Sequence, residues 1–271
     1  MELIAHFTNT KPIAEKVLPN DDAFMRTDLD WMEPLKISEF TASWPALHLW
    51  NQSFLIDQTK DKLLHAKRIT NGLKETKNFG LRDYFDYMEN NTGQNPFYLT
   101  DCQFHLGTEM AAHYTVPQKF KCWYREIDSN KRKSTLSWLY IGAKHSQSPL
   151  HLDIWNTSAW NVVVTGCKLW LFFPPHDQEY LYEGKVNPFN PDYTQYPEFS
   201  KATPIVCIQH PGEMIYTPSA WWHAVYNIDP GISITENFIN TLNYTHVLAF
   251  FKEHSQASYD SINKIVKQHT D

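Results

Sequence analysis

The spacing of hydrophobic residues changes near residue 134. Before that point, Leu81, Tyr84, Phe85 and Met88 follow the i, i+3, i+4, i+7 pattern of one helix face, among stretches with no clear period. Beyond it, short runs rich in β-branched and aromatic residues are separated by Gly, Pro and Asp, which predicts strands. The predicted strands cover residues 136–141, 150–154, 159–164, 169–173, 204–208, 214–216, 224–228 and 232–239.

Short strands divided by turn residues in this way predict a β-sandwich or a small barrel. The end of the chain turns helical again, with apolar stripes over 247–251 and 259–266. The pattern therefore predicts a helical or mixed N-terminal region over 1–119, a β core over 120–240 and a C-terminal helical segment over 241–271. The two stripes would either form a homodimer interface or pack on their own core, and the pattern favours neither.

Composition and charge narrow the class of protein. The chain has 271 residues, is 42% hydrophobic and contains only 9 Gly, which is typical of a globular protein. The formal net charge of −6 disfavours a nucleic acid as the main partner, although a local basic groove would escape this argument. The one basic run, Lys131-Arg132-Lys133, is interpreted as a solvated loop.

Targeting signals and cysteine spacing bear on the compartment. The N-terminus lacks a basic segment followed by an apolar one, and no window approaches about 20 apolar residues, so we expect no membrane partner. Cys102, Cys122, Cys167 and Cys207 contain no CxxC pair. Reduced thiols and a cytoplasmic location, or a nuclear one in a eukaryote, are therefore expected.

Three residues suggest a metal site. His151 and Asp153 lie two apart in a predicted strand, so their side chains should share one face. His223 follows a turn and opens another predicted strand. Two imidazoles and one carboxylate are the ligand set of non-haem Fe(II) oxygenases, where the remaining positions accept a bidentate co-substrate and O₂. An HxD motif alone is a weak signal, because a strand histidine is more often packed or hydrogen-bonded.

Lys168 and Asn161 add a second signal. If Thr165-Gly166 forms a two-residue hairpin, Lys168 pairs with Val163, which shares the face of Asn161. A lysine on an inward face is costly unless it meets an anion. A slipped register, which would leave Lys168 in water, is the alternative.

Thr235 is placed by a similar argument. With the loop at 229–231, Thr235 would pair with Val225, two residues along the strand from His223. Its hydroxyl and the Lys168 ammonium would then form a receptor for the distal carboxylate of a dicarboxylate ligand.

The sequence resembles a known family, the JmjC-domain oxygenases. The resemblance is nearest to the small JmjC hydroxylases, which include protein hydroxylases, Jumonji-domain protein 6 and the wybutosine-tRNA hydroxylase. It covers roughly residues 120–240. The stretches that carry it are residues 151–161 (HLDIWNTSAWN), 166–170 (GCKLW), 211–213 (PGE), Pro218, 221–223 (WWH), Asn227 and 235–238 (TENF).

The resemblance implies a mainly β fold with flanking helices around a double-stranded β-helix, the jelly-roll or cupin-like core. It implies Fe(II) held by His151, Asp153 and His223. It also implies 2-oxoglutarate bound through Lys168 and Thr235, with Asn161 nearby and Ser148 a weaker candidate. In the family, O₂ oxidises this co-substrate to succinate and CO₂ while the substrate gains a hydroxyl.

The resemblance favours an iron- and 2-oxoglutarate-dependent dioxygenase that hydroxylates a protein side chain. Many histone demethylases of this class have Glu as the second ligand, whereas this chain has Asp153, which favours hydroxylation over N-methyl demethylation. The same chemistry on modified tRNA is one alternative. A cupin that binds metal without turnover is another, although such a protein would need no co-substrate pocket.

Overall fold

The computed structural model describes residues 2–26, 28–60, 62–70 and 73–270. The strands are β1 (Lys11–Pro12), β2 (Ala14–Val17), β3 (Leu35–Ser38), β4 (Leu64–Thr70), β5 (Leu73–Phe79), β6 (Tyr98–Cys102), β7 (Ser137–Gly142), β8 (Gln147–His151), β9 (Ser158–Phe173), β10 (Ile205–Gln209), β11 (Met214–Thr217) and β12 (Trp222–Phe238). The α-helices are α1 (Asp21–Phe24), α2 (Ala46–Leu49), α3 (Gln52–Thr59), α4 (Leu81–Asn90), α5 (Tyr244–His254) and α6 (Gln256–Thr270).

Within the described ranges the strands join one sheet in the order β2-β3-β11-β9-β12-β7-β6-β4-β5, with β1 and β10 attached beside β9 and β8 attached to β12. The β1–β10 and β2–β3 pairs are parallel, and the remaining pairs are antiparallel. The predicted mainly β architecture with flanking helices is confirmed.

Strands β9 and β12 are the longest and pair along almost their whole length, from Trp222 opposite Phe173 to Phe238 opposite Ser158. The predicted hairpins at Thr165-Gly166 and at 229–231 are therefore wrong, because each predicted pair of short strands is one long strand. The register shifts where the two segments meet, between Asn227 and Ser233. This irregularity bends both strands and divides the pair into two limbs.

Glycines make the bend possible. Gly166 has a φ of +88°, which strongly favours glycine, and a Cβ at this position would lie 2.5 Å from the carbonyl oxygen of Pro230. A Cβ on Gly231 would lie 2.2 Å from the carbonyl oxygen of Thr165. The two backbones are thus in contact at the bend, with no room for a side chain on either.

The faces of the sheet carry different cores. On the first limb of β9, Trp160, Val162 and Val164 face the N-terminal elements, where they pack in a cluster that includes Phe24 and Trp44. Beyond the bend, Trp170 and Phe172 belong to another cluster with Ile215, Trp221 and Val225. Asn161 alternates with the first group and so faces the opposite side.

The N-terminal region is more β-rich than its pattern predicts. The helix predicted from Leu81 is confirmed as α4, with Leu81, Tyr84 and Phe85 buried. However, β4, β5 and β6 extend the same sheet beyond β7. Strand β5 carries few apolar residues and is exposed over most of its length, so its sequence gives no periodic strand signal.

The C-terminal helices pack on their own chain. Val247 and Phe251 of α5 and Ile262 and Val266 of α6 lie in one cluster with Tyr124, Leu136 and Ile239. The apolar stripes therefore pack within the chain, and a homodimer through the C-terminal helices stays a prediction. No helix in the described part of the chain is both long and apolar enough to cross a membrane.

Candidate metal centre and buried-lysine pocket

The structure brings His151, Asp153 and His223 together. His151 ends β8 and lies directly opposite His223 near the start of β12. The two imidazole centroids are 4.2 Å apart, and one ligand atom from each of the three residues lies within 4.8 Å of the others. Each candidate atom is of a type that divalent metals accept, so the cluster can hold one ion.

Both imidazoles are oriented by backbone carbonyls. Nδ1 of His151 lies 2.7 Å from the carbonyl oxygen of Pro149, and Nδ1 of His223 lies 3.0 Å from that of Trp221. Because a carbonyl oxygen only accepts, each Nδ1 must carry a proton, so Nε2 is the nitrogen that can coordinate a metal. Burial, and secondarily the charge of His223, lower the pKa of His151, so this ring is neutral at pH 7.

Asp153 lies beyond the end of β8 and not, as predicted, within a strand. β8 ends at His151, and Asp153 precedes a short 3₁₀ turn, Ile154–Asn156. Trp155 and Asn156 both have φ of 55°, which turns the chain sharply after the carboxylate. One oxygen of Asp153, Oδ2, is buried with no hydrogen-bond partner among the described residues. A buried carboxylate oxygen without a hydrogen-bond partner is suited to bind a cation.

Ser148 also lies on the face of the cluster. It pairs with Val225, whereas His151 pairs with His223, so β8 uses three residues where β12 uses two. This bulge brings Ser148 to the side of His223, since paired residues share a face. Without the bulge, an odd spacing would put Ser148 and His151 on opposite faces.

Lys168 is buried, with only 4% of its surface exposed. Its Nζ donates to Ser233 Oγ at 2.6 Å and to Tyr98 OH at 3.3 Å, and lies 5.4 Å from the ring centre of Tyr140. No carboxylate of the described chain pairs with it, and burial lowers its pKa to about 7. We call Lys168, Ser233, Tyr98 and Tyr140 the lysine pocket.

Lys168 lies on an inward face, as expected, but its expected pairing across the strands is wrong. Lys168 pairs with Asn227 of β12 and Gln209 of β10, not with Val163. Because Gly166 bends the strand, Lys168 on one limb meets Ser233 on the other. A buried amine with only neutral partners fits an anionic group of a ligand.

Asn161 and Thr235 form the next contact. They pair across β9 and β12, and Asn161 Nδ2 donates to Thr235 Oγ1 at 2.5 Å. Thr235 does not pair with Val225, as the predicted loop required. Asn161 Oδ1 is buried with no partner in the described part of the structure. Thr235 lies two residues from Ser233, so it shares the face of the lysine pocket.

The cluster of His151, Asp153 and His223 (the metal cluster) lies on the same face of the sheet as Lys168. His223, Val225 and Asn227 alternate along β12, and they pair with Phe172, Trp170 and Lys168 of β9. The Trp170 and Phe172 rings stack with centroids 5.4 Å apart, and His223 lies against both. Trp170 therefore lies between Lys168 and the cluster along this face of β9.

Sequence reasoning missed Ser233, Tyr140 and Tyr98. Ser233 and Tyr140 are paired across β12 and β7, and Thr235 pairs with Trp138. The period of two in both predicted strands could have found them from Thr235. Tyr98 stands 70 residues before Lys168 in an element that the pattern did not predict, so no local signal identifies it.

These residues fit the ligands that the resemblance implies. The cluster offers two imidazoles and a carboxylate to a divalent ion, and the lysine pocket offers a cation to the far end of a dicarboxylate. The individual roles of His151, Asp153, His223, Lys168 and the neighbouring residues remain predictions.

Comparisons with known proteins identify the family. The family model described as Cupin-like domain matches residues 22–245. The lysine-specific demethylase JMJ21 of Arabidopsis thaliana is 31% identical over 81% of this chain and 24% of its own length. The 2-oxoglutarate and iron-dependent oxygenase JMJD4 of Mus musculus is 30% identical over 81% of this chain and 58% of its own. The bifunctional arginine demethylase and lysyl-hydroxylase psr-1 of Caenorhabditis elegans is 27% identical over 78% and 56%.

The chain belongs to the Cupin-like domain family, since the match covers most of its length. The resemblance to JmjC oxygenases and the cupin-like fold expected from it are confirmed at this level. The chain spans between about a quarter and three fifths of the length of these relatives. Their activities therefore apply to this chain only as proposals.

Proposed function

We propose that this member of the Cupin-like domain family is an Fe(II)- and 2-oxoglutarate-dependent dioxygenase that hydroxylates a side chain of a protein and releases succinate and CO₂. One observation carries the proposal. A buried lysine without a carboxylate partner shares a face with a His-Asp-His cluster. A metal-binding protein without turnover needs the cluster alone, whereas an enzyme of this class needs both.

The chain's own residues would act as holders and positioners. His151, Asp153 and His223 would hold the ion on one side and leave its other side open. Lys168 would pair with the distal carboxylate of 2-oxoglutarate, and Ser233 would orient the ammonium. When bound, the iron and 2-oxoglutarate supply the oxidation by O₂ that yields succinate, CO₂ and a hydroxylated substrate.

Asn161 would orient the co-substrate beside the metal. Its Nδ2 is fixed by Thr235, while its Oδ1 remains without a partner in the described chain. The Trp170 and Phe172 rings would keep water from the space between metal and lysine. Exclusion of water strengthens both the lysine–carboxylate contact and the coordination of the metal.

The proposed substrate class rests on the relatives. The psr-1 protein is named a lysyl-hydroxylase as well as an arginine demethylase, and JMJ21 is named a lysine-specific demethylase. Both names describe reactions on protein side chains, which supports a protein substrate. N-methyl demethylation is the second candidate, because hydroxylation of an N-methyl group gives an N-hydroxymethyl group, whose C–N bond then breaks to release formaldehyde and the free amine. Modified tRNA is a weaker candidate for a chain of net charge −6.

Succinate release tests the enzyme class. With Fe(II), ascorbate and O₂, the protein should convert 2-oxoglutarate to succinate slowly even without its substrate, and N-oxalylglycine should inhibit the reaction. Asp153→Ala should stop it, whereas Asp260→Ala, which removes an exposed carboxylate from α6, should not. Turnover that survives Asp153→Ala would contradict the proposal.

Binding separates a tightly coupled enzyme from a non-catalytic cupin. Some hydroxylases turn over too slowly without substrate for succinate to be detected. Calorimetry with Mn(II) in place of iron should then still detect association of 2-oxoglutarate. If neither turnover nor association is found, the oxygenase proposal fails.

We also propose a reducing compartment, the cytoplasm or the nucleus. All four cysteines are free, and Cys102, Cys167 and Cys207 are buried. Free buried thiols are typical of reducing compartments. Fluorescence imaging of the tagged protein in its native cell tests this location.

A further inference from the structure

A basic recess lies apart from the metal cluster and from the lysine pocket. It has a volume of about 450 Å³ and opens between the segment after β6, the 3₁₀ turn Trp123–Glu126 and the loop before β7. Its lining includes three cations, Arg125, Arg132 and Lys133. No acidic residue lines it within the described part of the chain. We call it the arginine recess.

The basic run Lys131-Arg132-Lys133, interpreted from the sequence as a solvated loop, contributes two residues to the lining of the arginine recess. Lys131 and Lys133 are exposed, as expected of a solvated loop, whereas Arg132 is half-buried; Lys133 Nζ donates to Ser258 Oγ at 2.7 Å. The Arg132 guanidinium has no hydrogen-bond or ion-pair partner among residues 2–26, 28–60, 62–70 and 73–270. Because its nitrogens reach solvent, the guanidinium is open to an external anion.

Arg125 forms the fixed wall of the recess. Its Nη2 lies 2.7 Å from Oε2 of the buried Glu236, whose other oxygen accepts from Tyr114 at 2.8 Å and from Ser137 at 3.0 Å. This network holds the guanidinium in place. Glu236 neutralises Arg125, whereas no carboxylate of the described residues forms an ion pair with Arg132 or Lys133, which leaves the recess with two positive charges.

Hydroxyl and amide groups complete the lining. Ser129, Ser134 and Thr135 lie in the loop, and Gln103 Nε2 donates to Thr135 Oγ1 at 2.9 Å. Two positive charges and several neutral donors match a phosphate monoester, which carries about −1.5 to −2 charges and three acceptor oxygens at pH 7. The guanidinium fork of Arg132 suits such a group.

The arginine recess is separate from the lysine pocket. Glu236 and Thr235 are neighbours on β12, so their side chains lie on opposite faces of the sheet. Thr235 faces Asn161, while Glu236 contacts Arg125. The recess is therefore on the outer side, where an anion could bind without touching a bound metal.

We propose that the arginine recess binds a phosphate monoester, carried by a small metabolite or by a phosphorylated residue of a protein. The volume is within the range of about 300–1,000 Å³ typical of small-ligand sites. Three cations gather in this recess of a chain whose net charge is −6, which favours a single phosphate over the backbone of a nucleic acid.

Calorimetry with inorganic phosphate, on the full chain without metal or 2-oxoglutarate, tests the proposal independently of the oxygenase activity. Phosphate should bind to the unaltered protein, and Arg132→Gln should weaken binding about tenfold or more. Arg132→Lys should weaken it less. Arg82→Gln removes the same charge from an exposed position of α4 and should have no effect.

Lys168→Ala identifies the site of binding, because the lysine pocket could also attract phosphate. Binding that survives Lys168→Ala but not Arg132→Gln supports the arginine recess. Binding that is insensitive to Arg132→Gln, or that Lys168→Ala abolishes, overturns it. A circular dichroism melt establishes that each variant is folded, and Lys133→Gln replaces Arg132→Gln if that variant is not.

The source of the phosphate is distinguished with glycerol 3-phosphate and a short phosphoserine peptide, each against its unphosphorylated counterpart. The proposal expects one of them to bind more tightly than inorganic phosphate, with the same dependence on Arg132. If neither does, the recess is not a site for a phosphate monoester.

Discussion

The Nζ of Lys168 lies 2.6 Å from the Oγ of Ser233, although the two residues belong to different limbs of the bent β9–β12 pair. The bend at Gly166 and Gly231 is what allows this contact. The position of the lysine charge thus depends on the backbone bend two residues before it, at Gly166. This relationship links the fold to the proposed binding of 2-oxoglutarate.

We expect Lys168→Ala to weaken the binding of 2-oxoglutarate while leaving the metal in place. Removal of one partner of a buried charge pair costs about 2–5 kcal/mol, or roughly 30- to 5,000-fold in affinity. Titration of 2-oxoglutarate into the Mn(II)-loaded protein measures the change. Lys201→Ala, at an exposed position, is the control. An unchanged affinity would show that Lys168 does not contact the co-substrate.

The affinity for 2-oxoglutarate should fall as the pH rises above about 7. Burial lowers the pKa of Lys168 from 10.5 to about 7 in the ligand-free protein, so the amine loses its proton above this pH. The bound carboxylate favours the protonated form, and binding therefore takes up a proton, with an affinity loss of up to about tenfold per pH unit. Calorimetry in two buffers of different ionisation enthalpy measures this uptake. The same pH series on Lys168→Ala should be nearly flat.

The same pKa shift makes a prediction about stability. Between pH 7 and 10.5 the unfolded chain keeps the lysine proton that the folded protein has lost. The contribution of Lys168 to the free energy of unfolding therefore increases with pH across this window. Urea unfolding of the ligand-free protein and of Lys168→Met, at pH 7 and at pH 9, measures the free energy of unfolding of each. The difference between these two free energies should be smaller at pH 9 than at pH 7.

His151→Ala and His223→Ala should each abolish metal binding or make it very weak. Each change removes one of only three protein ligands, and the remaining two donors hold a divalent ion poorly. The amount of Fe(II) or Mn(II) retained after gel filtration is the measurement. His176→Ala, whose side chain is 78% exposed, should keep full stoichiometry. Full metal content in both ligand variants would exclude the proposed site.

Gly166→Ala should destabilise the protein more than Gly107→Ala. Both glycines have positive φ, +88° and +71°, so both variants carry a backbone cost of about 1–2 kcal/mol. A Cβ at Gly107 meets no atom within 4 Å, whereas at Gly166 it would overlap the carbonyl of Pro230. The extra cost of such overpacking is about 1–3 kcal/mol. Urea unfolding of the two variants compares them directly, and equal losses would show that the bend tolerates a side chain.

Residue types and their order were enough to select His151, Asp153, His223 and Lys168 as candidates. The local geometry was not predictable from the same pattern. A glycine with positive φ serves a tight turn and a bend within a strand equally well, so Gly166 suggested a hairpin that does not exist. Asp153 was likewise assigned to a strand that ends two residues earlier.

Contacts between distant segments explain what sequence reasoning missed. Tyr98 reaches Lys168 because β6 joins the sheet beside β7, and pairing of this kind leaves no periodic trace in either segment. Strand β5 is exposed along most of its length, so burial imposes no alternation on it. The first limb of β9 is buried almost throughout, and an apolar run of that kind does not reveal which side faces the site.

Each imidazole of the metal cluster is oriented by the carbonyl two residues before it in its own segment, Pro149 for His151 and Trp221 for His223. The orientation of each ring is therefore encoded in three consecutive residues and needs no help from a distant side chain. Surrounding loops can diverge, and the accepted molecule can change with them, while the coordinating nitrogens keep their direction. The direction of the nitrogens that would coordinate the proposed ion is therefore independent of the loops that would select its substrate.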